Sequence, residues 1–395
     1  MKGWIILNGN IQFETELISR FAERIRESRH ADPDVRQWRK VLLITAAWQR
    51  DEHKEGHIKA AISQIGIPSR IERGYDENIQ NLSIYHEFNR FRRNEPELYR
   101  QYHEKQGVII KAKEFYRRKN SDFVRILREQ TQFVKDSYAG VGLAQILAYD
   151  VAARRSGLPR MGQGELIFHY YCQDIQDTLA KIVDNDNAMV RVCKEVERAF
   201  RDRSRVDENP LFITMRDELR RRILSANTIL IFGGRVSVLL NRLWFFRLHD
   251  VLQEALCRGT NFCSVSAGSV VLAQKVILYD DFWGDRAARP RKEFEFFDNG
   301  LGLVKPVTLF PHCMDRIQTD DPDNLAYLAR RFAAGVCVGL NEESFLLIEP
   351  YRDEPSGITR ERYLSIGTKD GVYVFDRMGK KNCLRAGEEL VVAAP

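Results

Sequence analysis

Phe262-Cys263-Ser264-Val265-Ser266-Ala267-Gly268-Ser269-Val270-Val271-Leu272 is the stretch on which the reading of the fold turns. A β-prone apolar entry gives way to small residues, then to apolar residues at helical spacing. Such a sequence makes a tight strand-to-helix turn, a nucleophile elbow, which holds one side chain exposed on strained backbone. Small neighbours are needed because strand and helix nearly touch there. The usual pattern is G-x-S-x-G; here Ser264 takes the first glycine's place and Ser266 is the candidate nucleophile. The helix start adds positive potential, and the Ala267 N–H is placed to bind a developing oxyanion. A small-residue turn that only packs a helix on a sheet would use the same residues, so the surroundings must decide.

Upstream, Thr228-Ile229-Leu230-Ile231-Phe232 reads as a buried strand running into Gly233-Gly234, whose backbone could stand beside Ser266 and complete an oxyanion hole. Downstream of Ser266 there is a single histidine, His312, after Thr308-Leu309-Phe310-Pro311. It therefore sits at a strand's end, where α/β sheets gather catalytic groups, and a serine needs such a base within hydrogen-bond reach. A carboxylate would orient the imidazole. Asp280 and Asp281 follow Ser266 by 14 and 15 residues, and Glu342 with Glu343 are the rivals; the spacing does not choose between the pairs.

Further outward, residues 1–75 alternate strand and helix. An apolar run at 4–7 ends in Asn8-Gly9-Asn10, helical spacing follows over 14–28, and 40–47 is an almost unbroken apolar run. This βαβα order implies a right-handed, mostly parallel sheet with strands buried on both faces. Residues 76–222 change character: rich in Arg, Lys, Glu, Gln and Tyr, they carry apolar residues at three- and four-residue spacing over 84–105, 108–137, 139–155, 165–183 and 187–204. The spacing predicts four to six helices, with turns at Ser156-Gly157-Leu158-Pro159 and Asp184-Asn185-Asp186-Asn187. Residues 223–395 return to α/β and end in Tyr373-Val374-Phe375 and Leu390-Val391-Val392, read as antiparallel edge strands. The expected fold is thus one α/β domain, 1–75 plus 223–395, a mostly parallel three-layer sheet interrupted by an all-helical insert at 76–222.

Composition narrows the function. A chain of 395 residues with 44% hydrophobic and 29% charged residues buries a sizeable core and is neither collagenous nor disordered. No apolar run approaches the roughly 18 residues of a membrane span. The first apolar run meets Asn8 too soon for a signal-peptide core, so it reads as a strand and the protein as cytoplasmic. The seven cysteines make no CxxC pair, which argues for reduced thiols rather than disulfides or zinc. Cys263 reads as a buried strand residue. A net charge of +6 is mild, and the basic tract Arg117-Arg118-Lys119 is interspersed with acids, so nucleic acid is not an expected partner. His53 and His57, at i, i+4 beside Glu55, have a spacing that can bind zinc, yet without a third ligand they read as an exposed loop and helix start. No metal and no cofactor is expected.

Strand–Gly-Gly, helix, Ser-Ala-Gly elbow, acidic loop, strand–His and Gly339-Leu340-Asn341-Glu342, in that order, resemble the serine exopeptidases that include cyanophycinase and dipeptidase E. The resemblance covers a little over half the chain and is densest at 223–350. It implies a fold like that of class I glutamine amidotransferases, with Ser266 as nucleophile and His312 as catalytic histidine. It also implies Asp281 as the acid, and Gly234 and Ala267 as oxyanion donors. Two departures stand out. The family's D-Q-H-F and its arginines are replaced here by Phe310-Pro311-His312-Cys313, with Arg316 alone keeping an arginine position, and Arg235-Val236 follows the two glycines. Arg235 and Arg316 are the candidate substrate-binding residues. A carboxylate pocket stripped of bidentate partners loses affinity, so the expectation is a serine hydrolase acting on a peptide or isopeptide bond in a small substrate of altered type. The insert would act as a lid or as a module that binds a protein partner; a homodimer is compatible with the sequence. The alternative is a catalytically weak or inactive binding protein on a former hydrolase fold.

Overall fold

The computed structural model describes residues 2–70, 77–154, 161–279, 294–333, 335–353, 359–367 and 371–392. Its strands are, in chain order, β1 (Ile5–Asn8), β2 (Val41–Ile44), β3 (Ile79–Asn81), β4 (Thr228–Ile231), β5 (Asn261–Val265), β6 (Lys275–Tyr279) and β7 (Phe294–Asn299). These are followed by β8 (Val307–Pro311), β9 (Val336–Leu340), β10 (Ser344–Arg352), β11 (Thr359–Gly367), β12 (Val372–Phe375) and β13 (Lys381–Leu384).

The central sheet has seven strands in the order β11-β10-β1-β5-β4-β2-β3. β1, β5, β4, β2 and β3 run parallel, and β10 and β11 close one edge antiparallel. Every residue of β1, β2, β4 and β5 is buried, which is why these strands read as continuous apolar runs rather than alternating ones. Successive residues feed opposite faces: Leu42, Ile44, Ile229 and Ile231 join the core on one side, and Leu43, Leu230, Phe232 and Cys263 the core on the other. The chain is therefore a mixed α/β structure with a layered central sheet and a long helical region. The parallel sheet reaches β3, inside the 76–222 stretch that reads as helical from its spacing.

A second sheet, of order β13-β12-β9-β8, carries β8 parallel to β9 and the other pairs antiparallel. His312 thus leaves a different sheet from the one that holds Ser266. β6 and β7 form a separate antiparallel pair. The expected strand at 390–392 is not formed. The last strand is instead Lys381–Leu384, while Val391 is 86% exposed and Glu389 bridges to Leu364. Leu390 is buried and its amide donates to the Tyr363 carbonyl at 2.7 Å, so the segment meets β11 through one bridge and does not extend into a strand.

The helical region is dominated by two 42-residue helices, Pro96–Ser137 and Gln163–Ser204. Lys105 meets Glu197, Asn120 meets Asp186 and Gln130 meets Thr178; partner numbers rise on one helix as they fall on the other, so the pair is antiparallel. The turn expected at 184–187 is a correction, because all four residues lie inside the second long helix. Asn and Asp favour turns when they bond their own backbone. Here Asn185 donates to the Tyr116 carbonyl and to Asn120, and Asp186 accepts from Asn120 and Arg331, so neither competes with the helix. The turn expected at Ser156-Gly157-Leu158-Pro159 lies outside the described residues.

This helical pair packs beside the second sheet. Met189, Val190 and Cys193 share a core with Phe310, Cys313, Leu328 and Phe332, and Lys113 pairs with Asp298 of β7 at 2.9 Å. Among the described residues, no helix is long and apolar enough to cross a membrane.

Candidate active site

The elbow forms as the small residues demand. β5 ends at Val265, and the Ala267–Leu272 helix begins directly after Ser266. Ser266 has φ 48° and ψ −112°, a conformation that costs a residue with a side chain roughly 1–3 kcal/mol. Its amide donates to the Asn8 carbonyl at 2.9 Å, and its carbonyl accepts from Val270 at 3.0 Å, so the bend is held from both ends. A Cβ on Gly268 would stand 2.3 Å from the Ile231 carbonyl oxygen. Only glycine lets helix and β4 approach this closely.

Opposite the serine, His312 caps β8 in the left-handed region, at φ 52° and ψ 44°. Its Nε2 lies 3.2 Å from the Ser266 Oγ. Two side chains from two sheets, each on unusual backbone, converge on one hydrogen bond. This is the contact a serine needs to pass its proton to an imidazole.

The Gly233–Gly234 turn after β4 borders the same serine. A Cβ on Gly233 would be 3.1 Å from the Ser266 Cβ and 3.7 Å from its Oγ. Gly234 has φ 128°, and a Cβ there would strike the Ala47 carbonyl at 2.8 Å. The Arg235 amide donates to that carbonyl at 3.1 Å, which fixes the turn against the loop after β2. Ala267 opens the elbow helix, where backbone N–H groups lack intrahelical acceptors. That helix is only six residues long, so its dipole is small and any anion there would rely on the N–H groups themselves.

The remaining expected residues are placed as follows. Arg235 is exposed at the start of the next helix, and Arg316 is half-buried at the end of the short Cys313–Arg316 helix. Glu342 is exposed, and Glu343 pairs with Arg20 at 2.7 Å. Asp280 and Asp281 lie outside the described residues. Cys263 is fully buried in β5, and burial drives its thiol well above its usual range. Cys313, next to His312, is also buried, and its thiol is pushed up to about 12. Neither cysteine is a thiolate at neutral pH.

Several polar residues that spacing alone did not flag hold this geometry. Ser264, in the place of the usual glycine, donates from Oγ to the Ile6 carbonyl at 3.0 Å and meets the Ser269 Oγ at 3.0 Å. Ser269 Oγ donates to the Asn8 carbonyl at 2.8 Å and accepts from the Asn8 amide at 3.1 Å. The Asn8 side chain then donates to the carbonyls of Glu342, at 3.0 Å, and Ser344, at 2.9 Å. Asn341, in that same turn, accepts from the Met314 amide at 2.9 Å, two residues past His312. A buried hydrogen-bonded chain thus runs from the elbow to the histidine loop. Its sequence signal was faint: an Asn ending β1 and two serines flanking Ser266.

Residues 175–352, which include Gly234, Ser266 and His312, match the family model of peptidase family S51. Among solved structures, that of a peptidase from an acI-B1 Actinobacterium is similar at 14% identity, over 99% of this chain and 97% of that one, with a TM-score of 0.42. Among curated proteins, none matches the chain.

Proposed function

We propose, on the premise that residues 175–352 are those of a serine-type peptidase of family S51, that the protein hydrolyses a peptide or isopeptide bond in a small substrate through Ser266. The observation that carries this reading is the 3.2 Å contact between Ser266 Oγ and His312 Nε2 at a strained elbow. In the proposed reaction His312 takes the Ser266 proton as Oγ attacks the substrate carbonyl. The N–H groups of Gly234 and Ala267 stabilise the tetrahedral oxyanion. His312 then hands its proton to the leaving amine, an acyl-enzyme remains, and water attacks it with His312 again as base. Asp281 is assigned as the carboxylate that orients the imidazole, with Asp280 and Glu342 as alternates. Arg235 and Arg316 are assigned to the substrate's acidic groups. The helical pair serves as a lid or as the seat of a protein partner; its packing beside the sheet that bears His312 supports this. We place the protein in the cytoplasm, which the seven free cysteines support.

The test is covalent labelling with a serine-directed phosphonate, followed by a panel of short peptides that includes Asp-initiated and isopeptide-linked members. Labelling that Ser266→Ala abolishes is the expected outcome. A wild-type chain that never labels, or a label that persists in Ser266→Ala, overturns the reading and leaves the non-catalytic binding role.

Asn341 is proposed as a positioning residue for the His312 loop. Asn341→Ala is expected to lower kcat about 10- to 100-fold with little change in KM. Asn341→Asp should restore most of it, because the acceptor for the Met314 amide is kept. The Asn341 Nδ2 has no hydrogen-bond partner among the described residues, so the exchange forfeits no bond there. Steady-state kinetics of the two variants decide the matter: equal damage from both would mean a packing role.

A further inference from the structure

We propose that His53, His86 and Glu52 form a binding site for a divalent transition-metal ion of the zinc class. One donor atom from each residue can be chosen so that all lie within 4.8 Å of one another. A tetrahedral ion with bonds of about 2.0–2.2 Å holds its ligand atoms roughly 3.3–3.6 Å apart, so binding draws these donors together by about 1 Å, which rotation of the exposed His53 side chain supplies. The two imidazole rings face each other at 3.9 Å between centroids.

Glu52 is fixed in advance. Its carboxylate accepts from the amides of Tyr85, at 3.0 Å, and His86, at 2.9 Å, and meets His86 Nδ1 at 2.6 Å. Its backbone carbonyl accepts from Thr45 at 2.8 Å and from Asn81 at 2.7 Å. A carboxylate on Nδ1 fixes an imidazole's tautomer and turns Nε2 toward a metal. Glu52 therefore supplies either an oxygen ligand or the support for His86, and in both cases each histidine is a donor.

A second observation points to a missing ligand. Glu55 is 5% exposed; its Oε1 pairs with Lys59 at 3.3 Å, while its Oε2 is buried with no hydrogen-bond partner among the described residues. It lines a cavity of about 300 Å³ together with His53, Glu77, Lys59 and Arg222. Buried carboxylate oxygens are rarely left unmet. Lys59, shared between Glu55 and Glu77 at 3.3 and 3.4 Å, and Arg222 match the two lining glutamates; the Glu52 carboxylate, outside that lining, adds the negative charge that a dication beside the histidines would offset. His57 takes no part: it lies 3.8 Å from Glu14 and stacks on Trp48. An ion here would tie the loop after β2 to the start of the Ile84–Asn94 helix. That loop also supplies the Ala47 carbonyl that holds Arg235.

The experiment is isothermal titration of the full chain with zinc chloride, in a Cys257→Ser/Cys383→Ser background that removes the two exposed thiols. One saturable equivalent is expected, weakened at least about tenfold in His53→Ala and in His86→Ala. Zinc should also raise the melting temperature of the parent and not of His53→Ala. His53 is exposed, so its replacement leaves the core intact and its result stands even if His86→Ala fails to fold. No saturable binding, or binding that is undiminished in His53→Ala, overturns the proposal.

Discussion

Ser266→Ala is expected to lower kcat/KM for any peptide the enzyme cleaves by about 10⁴- to 10⁶-fold, and His312→Ala by a similar factor. The losses correspond to roughly 5–8 kcal/mol of transition-state stabilisation. They are large because the two residues act as one device: without the imidazole the hydroxyl keeps its proton, and without the hydroxyl the imidazole has nothing to activate. For the same reason the double variant should be no worse than either single one. The residual rate, above that of water, would measure what Gly234, Ala267 and substrate binding contribute alone. Single-turnover kinetics with the three variants make the comparison. Additive losses would mean that the 3.2 Å contact is not the proton path, and a His312→Ala enzyme within tenfold of wild type would move the base elsewhere.

The second large effect is on stability. Arg331 donates to Asp186 at 2.8 and 3.1 Å and to the Tyr327 hydroxyl at 2.8 Å, with the side chains of both ion-pair partners almost fully buried. Burial alone would lower the guanidinium's pKa, yet Tyr327 and Asp186 together raise it. The pair joins the second long helix to the Pro322–Phe332 helix. Arg331→Met strands the Asp186 carboxylate in the interior and is expected to cost about 3–5 kcal/mol. Arg331→Met/Asp186→Leu should recover most of that, because the desolvated charge is gone. Urea denaturation midpoints of the parent and both variants test it. A double variant as unstable as the single one would show that the geometry of the junction, rather than the orphaned charge, carries the energy.

Four of the seven strands of the central sheet, β1, β2, β4 and β5, were legible because they are buried on both faces and use almost only apolar residues; β3 lay in the stretch that read as helical, and β10 and β11 were not read. The elbow was legible because crowding between β4 and its helix admits only small residues near Ser266. His312 was legible by elimination and by its place after an apolar strand. Other features had no local signature. Asp184-Asn185-Asp186-Asn187 has the composition of a turn, and only partners on the other long helix and on the Pro322–Phe332 helix make it helical. His53 and His86 are brought together by a crossing from the loop after β2 to the Ile84–Asn94 helix, so their spacing carries no motif. Asn8 acts through contacts with residues more than 250 positions away. That the histidine would stand on a second sheet depended on strand pairing, which apolar patterning does not specify.

Ser266 and His312 both occupy positive φ, at 48° and 52°, where a glycine would rest without the steric cost that a β-carbon brings. Under the proposed reaction, heat tolerance and turnover pull these two positions in opposite directions. Selection for robustness alone would reward glycine at both, and would do so most strongly in a copy of the gene relieved of its chemistry. Arg39, Gln49, Ser83, Arg205 and Arg247 carry the same kind of backbone, so what would set Ser266 and His312 apart is the proposed reaction: Ser266→Gly and His312→Gly should each trade activity for a higher melting temperature.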